Sequence, residues 1–172
     1  MKFVIQKHAT IRVHYDLRLE IGNELHSWSI PKGPTLDPSM KRLAMETTDH
    51  DLAYAEFEGI IPEGQSGAGK VMIWDTGTYI PEIEVEKGTL VRTEGTEESL
   101  KVMQGGLEQG MLKFSLFGSK IKGSFALVKT KGFGPKNSWL MIKHKDAYVK
   151  EGYDAADSDF SATTARTMEE IK

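Results

Sequence analysis

From the first residues to Lys145, apolar residues recur at every second position in short stretches separated by Gly, Pro and Asn. This period predicts strands at 3–7, 12–21 and 24–30, the last two joined by Gly22-Asn23, a two-residue hairpin signal. Pro31-Lys32-Gly33-Pro34 then reads as a stiff turn. Further strands are predicted at 42–47, 70–75, 83–91, 111–117, 120–129 and 138–143. Leu112, Phe114 and Leu116, and again Ile121, Phe125 and Leu127, fall on one face each. The exception is 96–104, predicted as a helix: Thr96 as cap, Glu97 and Glu98 in the first turn, and Gly105-Gly106 as its end. So many short strands with one real helix imply an antiparallel barrel or a sandwich. The whole chain, 1–172, reads as one domain. Residues 1–145 form its core, and an acidic tail, 146–172, is expected to dock loosely and end in a short helix.

Composition narrows the chemistry. With 172 residues, 39% hydrophobic and 27% charged, the chain can bury a core and is not a disordered polymer. Cysteine is absent, so any metal falls to histidine and carboxylate ligands. No apolar run approaches the ~20 residues of a membrane helix, and the start carries no signal-peptide core, which predicts a cytoplasmic protein. A net charge of −3 argues against a histone-like binder, but charge is segregated. Residues 111–145 hold eight lysines (113, 120, 122, 129, 131, 136, 143, 145) and no acid. Residues 146–172 hold seven acids against three basic residues. Clustered lysine is the footprint that a polyanion needs; a solvated strand face is the plainer alternative.

One strand concentrates ionisable groups. Between residues 13 and 21, Val13, Tyr15, Leu17, Leu19 and Ile21 share a face that reads as core, and His14, Asp16, Arg18 and Glu20 share the other. Such a row can be merely a wet outer face. Here His14 and Asp16 point the same way, and His8 on the preceding strand can supply a third donor. Two imidazoles and a carboxylate suit Mn²⁺, Fe²⁺ or Zn²⁺ with positions left for water and substrate. Arg18, one step further, offers a planar two-bond grip on an oxyanion. His50 is expected in a loop after the 42–47 strand, near Tyr54, where it could complete a phosphate site. Lys32 and Arg42 read singly as solvated cations. Gly64-Gln65-Ser66-Gly67-Ala68-Gly69-Lys70 lacks the end of a P-loop and reads as a turn.

These residues resemble a known family, the 3′-phosphoesterase domain of bacterial DNA ligase D and its stand-alone archaeal and bacterial relatives. The resemblance lies in His8-x5-His14-x-Asp16-x-Arg18 followed by Trp28-x-x-Pro31-Lys32-Gly33-Pro34. It continues through Lys41-Arg42-Leu43-Ala44, Asp49-His50, Phe57-Glu58-Gly59, Ile61-Pro62-Glu63-Gly64 and Trp74-Asp75-Thr76-Gly77, and reaches Trp139-Leu140-Met141-Ile142-Lys143. It implies a β-barrel whose concave face holds Mn²⁺ on His8, His14 and Asp16. Arg18, His50 and Tyr54 match phosphate-site residues, and Lys32 and Arg42 match basic residues that support the reaction. The implied activity removes one ribonucleoside from a primer 3′ end and then hydrolyses the remaining 3′-phosphate to a 3′-hydroxyl. The implied partners are nucleic-acid 3′ ends and a separate ligase and polymerase of an end-joining pathway. Three departures bear on the balance of the two activities. The chain starts almost at the first motif, without an upstream arm; Thr48 stands where Glu is common, and Ser66 where Tyr is common.

Two rivals use the same residues. His14-x-Asp16 with a distal His50 also fits an Fe(II) oxygenase on a double-stranded β-helix, but no Arg occurs between His50 and Trp74 to bind a 2-oxoacid. A non-catalytic barrel could instead bind nucleic-acid ends through its lysines.

Overall fold

The computed structural model describes residues 1–132 and 134–172. Ten antiparallel strands among the described residues are β1 (Lys2–Ala9), β2 (Val13–Ile21), β3 (Glu24–Ile30), β4 (Arg42–Asp51), β5 (Gly59–Ile61), β6 (Gly69–Glu86), β7 (Thr89–Arg92), β8 (Met111–Gly118), β9 (Lys122–Lys129) and β10 (Ser138–Lys143). Neighbours run β1-β2-β3-β4-β10-β9-β8-β6, and β6 returns to pair with β1, so the sheet closes into a ring. The choice between barrel and sandwich falls to the barrel. Closure removes the open edges of these eight strands; β5 and β7 are short additions on β6. Gly22, at φ +66, supplies the conformation that the two-residue β2–β3 turn demands.

The barrel core is aromatic. Trp28, Trp74, Trp139, Tyr79, Phe3, Phe114 and Phe125 are all fully buried, with Trp28 meeting Trp139 edge-on at 5.7 Å. The alternating apolar residues of β8 and β9 join this core, as their period requires.

Three expectations are corrected. The predicted 70–75 strand and the start of 83–91 belong to one long β6, which pairs first with β1, then with β8 and last with β7, the strand that holds the end of 83–91. Gly77 lies inside β6 because a Cβ there would come within 2.1 Å of the Phe117 carbonyl oxygen. The helix, α1 (Thr96–Gln109), runs through Gly105-Gly106. Any Cβ on Gly106 would meet Leu112 and Met111 at 2.6 Å, so this glycine permits close packing on β8. Gly110, left-handed at φ +79, ends the helix, and Gly95, not Thr96, is its N-cap.

The third correction concerns the tail, which is firmly docked. Gly152 N–H donates to Asp37 Oδ2 (2.8 Å), Ala162 N–H to the Ile73 carbonyl (2.8 Å) and Arg166 Nη2 to Glu58 Oε2 (2.9 Å). Asp159 pairs with Lys7 of β1 at 2.5 Å, while Tyr153, Ala155 and Ile171 are buried in the main core. Its helical turn is a 3₁₀ segment at Ala155–Ser158, and the chain ends in turns. Among the described residues, no helix is long and apolar enough to cross a membrane.

Candidate active site

The outer face of the wall formed by β1 to β4 is unusually polar for a buried surface. On β2, Tyr15, Leu17 and Leu19 enter the core, so His14, Asp16 and Arg18 face the other way. They are not left in water: Asp16 and Arg18 are 4% and 3% exposed. A 3₁₀ turn at Leu52–Glu56 and the 62–68 loop between β5 and β6 border the hollow in which they lie, with Tyr54, Ile61, Ser66 and Gly67 on its lining. A second, small apolar cluster of Val4, Leu25, Ala55 and Ile73, with Tyr54 packed against it, seats the 3₁₀ turn.

His8 stands opposite His14 in the β1–β2 ladder. One donor atom from each of His8, His14 and Asp16 lies within 4.8 Å of the others. His8 Nε2 is 2.7 Å from the Gly67 carbonyl oxygen, and His14 Nδ1 is 3.2 Å from that of Arg12. A carbonyl only accepts, so each contact assigns the proton to that nitrogen. The opposite nitrogens, His8 Nδ1 and His14 Nε2, are then bare and sit 3.5 Å and 3.4 Å from Asp16 Oδ2. These are the tautomers that a shared cation requires, fixed by backbone partners. Burial alone would raise the Asp16 carboxyl; when the two rings carry a second proton, His14 and His8 donate to it, and these bonds with the Arg18 charge outweigh burial and hold the group far below the usual range. The hydrogen bond to Asp16 raises His14 in turn, against the opposing effect of burial.

Arg18 is held by three of its donors. Nε donates to Gln6 Oε1 (2.7 Å), Nη1 to Ser27 Oγ (2.8 Å) and Nη2 to Asp16 Oδ2 (3.3 Å). Gln6 is itself fixed, its amide nitrogen donating to the Tyr54 and Phe57 carbonyls at 2.9 and 3.0 Å. A guanidinium has five N–H bonds, so two remain for an anion. The Tyr54 ring lies 4.9 Å from the guanidinium carbon and 4.7 Å from the His50 ring. His50 is corrected from a loop to β4, which runs on to Asp51. Its Nδ1 lies 2.8 Å from the Thr48 carbonyl and 3.1 Å from Arg18 Nη1. The shorter contact requires Nδ1–H, which makes the Arg18 approach a close contact of two donors and leaves Nε2 bare. Burial first, then Arg18, lowers the His50 pKa; burial raises that of Tyr54.

The hollow therefore gathers His8, His14, Asp16, Arg18, His50 and Tyr54, together with Thr10, Ser29, Thr47 and Thr48. Lys32 and Arg42 do not line it. Arg42 shares the pleat of Ala44, which is in the core, and of Glu46, which accepts from the core residue Trp139. It lies eight residues before His50 on the same strand, about 26 Å at strand rise. Lys32 is exposed in the turn after β3. Gln6 and Ser27 were not singled out from sequence, although the Gly22-Asn23 hairpin fixes a register that sets Ser27 against Arg18. The Gly-rich segment is the expected turn, but its Gly67 carbonyl also orients a metal-ligand candidate.

The lysine-rich strands do not present one face. Lys113 pairs with Glu84 (2.8 Å), Lys143 is buried against Asp146 (2.7 Å), and Lys120 donates to the Ser158 and Phe160 carbonyls of the tail.

Comparison with known proteins meets this geometry. The family model described as the DNA Ligase D 3′-phosphoesterase domain matches residues 6–129, a span that includes every residue lining the hollow. The chain is 42% identical over 150 residues to the "Multifunctional non-homologous end joining protein LigD" of Pseudomonas aeruginosa, covering 87% of this chain and 16% of that protein. It is 40% identical over 144 residues to the "Multifunctional non-homologous end joining DNA repair protein LigD" of Mycobacterium tuberculosis H37Rv, covering 84% and 16%. With the Mycolicibacterium smegmatis LigD it shares 38% over 145 residues, covering 84% and 17%. The chain thus spans about a sixth of the length of these relatives. It belongs to the DNA ligase D 3′-phosphoesterase domain family.

Proposed function

We propose that the protein is a metal-dependent 3′-end-healing phosphoesterase. It removes a 3′-terminal ribonucleoside, leaving a 3′-phosphate, and then hydrolyses that phosphate to a 3′-hydroxyl. The observation that supports this best is the adjacency of two sites in one hollow: three convergent donor atoms for a cation, and beside them a buried arginine with two uncommitted N–H bonds. Family membership gives the reaction class, hydrolysis of a phosphoester at a 3′ end.

His8, His14 and Asp16 would hold the metal, and the donor set fits Mn²⁺ as it fits Fe²⁺ or Zn²⁺. Bound there, the cation would supply Lewis acidity toward a phosphoryl oxygen. Arg18 binds a second phosphate oxygen through its two remaining donors and offsets the charge that builds in the transition state. Tyr54 keeps its proton at working pH and can donate it to a third oxygen. His50, with Nδ1–H on Thr48, turns Nε2 toward the substrate. Its lowered pKa leaves it neutral in the free protein, and an arriving phosphate dianion raises that pKa, so the ring takes up a proton that it can pass to the leaving oxygen. Lys32 and Arg42 stand outside the lining of the hollow, and the scheme gives them no contact with the phosphate.

A terminal 3′-phosphate carries up to two charges and meets this site unaided, whereas an internal diester carries one and has a poorer leaving group. The 2′-hydroxyl next to that diester belongs to the penultimate nucleotide, and by donating to the phosphate it offsets that handicap. The test compares primer-templates whose last two nucleotides are both ribo or both deoxy, with a 3′-hydroxyl or a 3′-phosphate, with Mn²⁺ or with chelator, by product sizing. Resection of the ribo end only, phosphate removal from either sugar, and loss of both with chelator are expected. Equal resection of ribo and deoxy ends would refute the reading in favour of a general exonuclease.

A further inference from the structure

Of the eight lysines between residues 111 and 145, Lys113, Lys120 and Lys143 are committed to internal partners. Three of the remaining five, Lys129, Lys131 and Lys136, lie at the end of β9 and in the segment that leads to β10. None of the three has an ion-pair partner among the described residues, and Lys131 and Lys136 are exposed. Lys129 and Lys136 line a surface hollow with Gly132, Gly134 and Pro135, and among the described residues no acidic side chain lines it.

The position of this segment gives it meaning. The β4–β10 ladder pairs Met45 with Ser138 and stops there. One residue on, Glu46 N–H donates to the Asn137 carbonyl (2.8 Å), and Asn137 Nδ2 donates to the Glu46 carbonyl (2.9 Å). These two bonds clip the lysine segment beside the stretch of β4 that continues into Thr47, Thr48 and His50, all lining the active-site hollow. Two flanks are less inviting to a polyanion. Glu24, Asp49, Asp51 and Glu56 gather at the opposite end of β3 and β4 and in the adjoining 3₁₀ turn, and the 62–68 loop carries Glu63 without a basic residue.

We propose that Lys129, Lys131 and Lys136 form the docking surface for the phosphate backbone of the strand whose 3′ end occupies the hollow. This rests on the end-healing reading and adds where the body of the substrate runs. Asp16, Ser29, Met45 and Ser138 are in register across β2, β3, β4 and β10, so Ser138, two residues beyond Lys136, stands about 14 Å from Asp16 at three strand spacings. Phosphates on one strand advance about 3.4 Å each. The lysines therefore meet the backbone about four nucleotides from the reacting end.

The experiment compares wild type with Lys131→Ala/Lys136→Ala and Lys131→Gln/Lys136→Gln. The substrates are a 3′-phosphorylated 12-nucleotide strand in duplex and a 3′-phosphorylated dinucleotide too short to reach the segment. On the long substrate KM rises with kcat unchanged, and on the dinucleotide neither changes. Two lost phosphate contacts reduce the salt slope by about 1.4 to 1.8, so the variants' disadvantage is about seven- to twelvefold larger at 50 mM than at 200 mM salt. Equal salt slopes, or equal losses on both substrates, would overturn the proposal. Fluorescence anisotropy with an uncleaved 3′-hydroxyl DNA duplex reads the same slopes without turnover. Failure to hydrolyse either substrate would therefore count against the end-healing reading, while the anisotropy comparison still decides this one.

Discussion

Replacing Arg18 by lysine keeps the positive charge and removes the planar fork. The buried guanidinium reaches Gln6, Ser27 and Asp16 with three N–H bonds and keeps two for substrate. A lysine ammonium has three donors on a single nitrogen and cannot span those three partners and an anion together. Hydrogen bonds to charged groups contribute about 1.5–3 kcal/mol each, so losing the two substrate bonds removes about 3–6 kcal/mol of transition-state stabilisation. At about 1.4 kcal/mol per decade this is roughly a 10²- to 10⁴-fold fall in kcat/KM. Arg18→Lys is expected within about tenfold of Arg18→Ala, because charge without geometry recovers little. The assay is kcat/KM for release of inorganic phosphate from a 3′-phosphorylated oligonucleotide, with thermal unfolding to confirm the fold. A lysine variant within threefold of wild type would show that Arg18 contributes charge only.

His8→Ala, His14→Ala and Asp16→Ala are each expected to abolish Mn²⁺ binding by calorimetry and both activities with it; an unchanged rate in any one removes that residue from the site. His50 should titrate below 6.5 in the free protein, so that raising pH converts it to the neutral ring early. Inorganic phosphate should move that midpoint upward, as should Arg18→Ala, and histidine NMR showing no movement in either case would contradict the proposed proton uptake. Asp75 is fully buried and accepts backbone N–H bonds from Thr76, Ser119, Lys120 and Ile121. Asp75→Ala strands four donors and should lower urea stability by at least about 3 kcal/mol, against a loss below about 0.5 kcal/mol if those donors find other partners.

Much of the architecture was legible because the strands are half-buried and alternate cleanly. β3 and β10 begin and end where the pattern predicts, and the ionisable row of β2 is visible at period two. The errors arise where a residue's local meaning yields to a neighbour remote in sequence. Gly106 reads as a terminator, yet its bareness serves the contact with Leu112 and Met111. Gly77 and Pro81 read as breaks, yet β6 continues through them while exchanging β1 for β8 as partner. The acidic tail reads as loosely docked, but Asp159, Arg166 and the backbone of Gly152 and Ala162 meet their partners on the barrel. Within the site, ligand types were readable from two neighbouring strands, whereas Gln6 and Ser27 required the pairing register that sets them around Arg18.

β1 is dry on both sides. Phe3 and Ile5 belong to the aromatic interior, while Val4, Gln6 and His8 belong to the wall of the hollow, and all five are buried. It is a party wall between two rooms, and neither room can be remodelled alone. A one-residue slip in β1 would send Gln6 and His8 into the aromatics and bring Ile5 and Lys7 to the cation site. A conservative trim such as Ile5→Val, far from any reacting atom, reaches the metal-ligand candidate through a single backbone. Selection on catalysis and selection on folding therefore act on the same eight residues, and drift in one compartment is screened by the performance of the other.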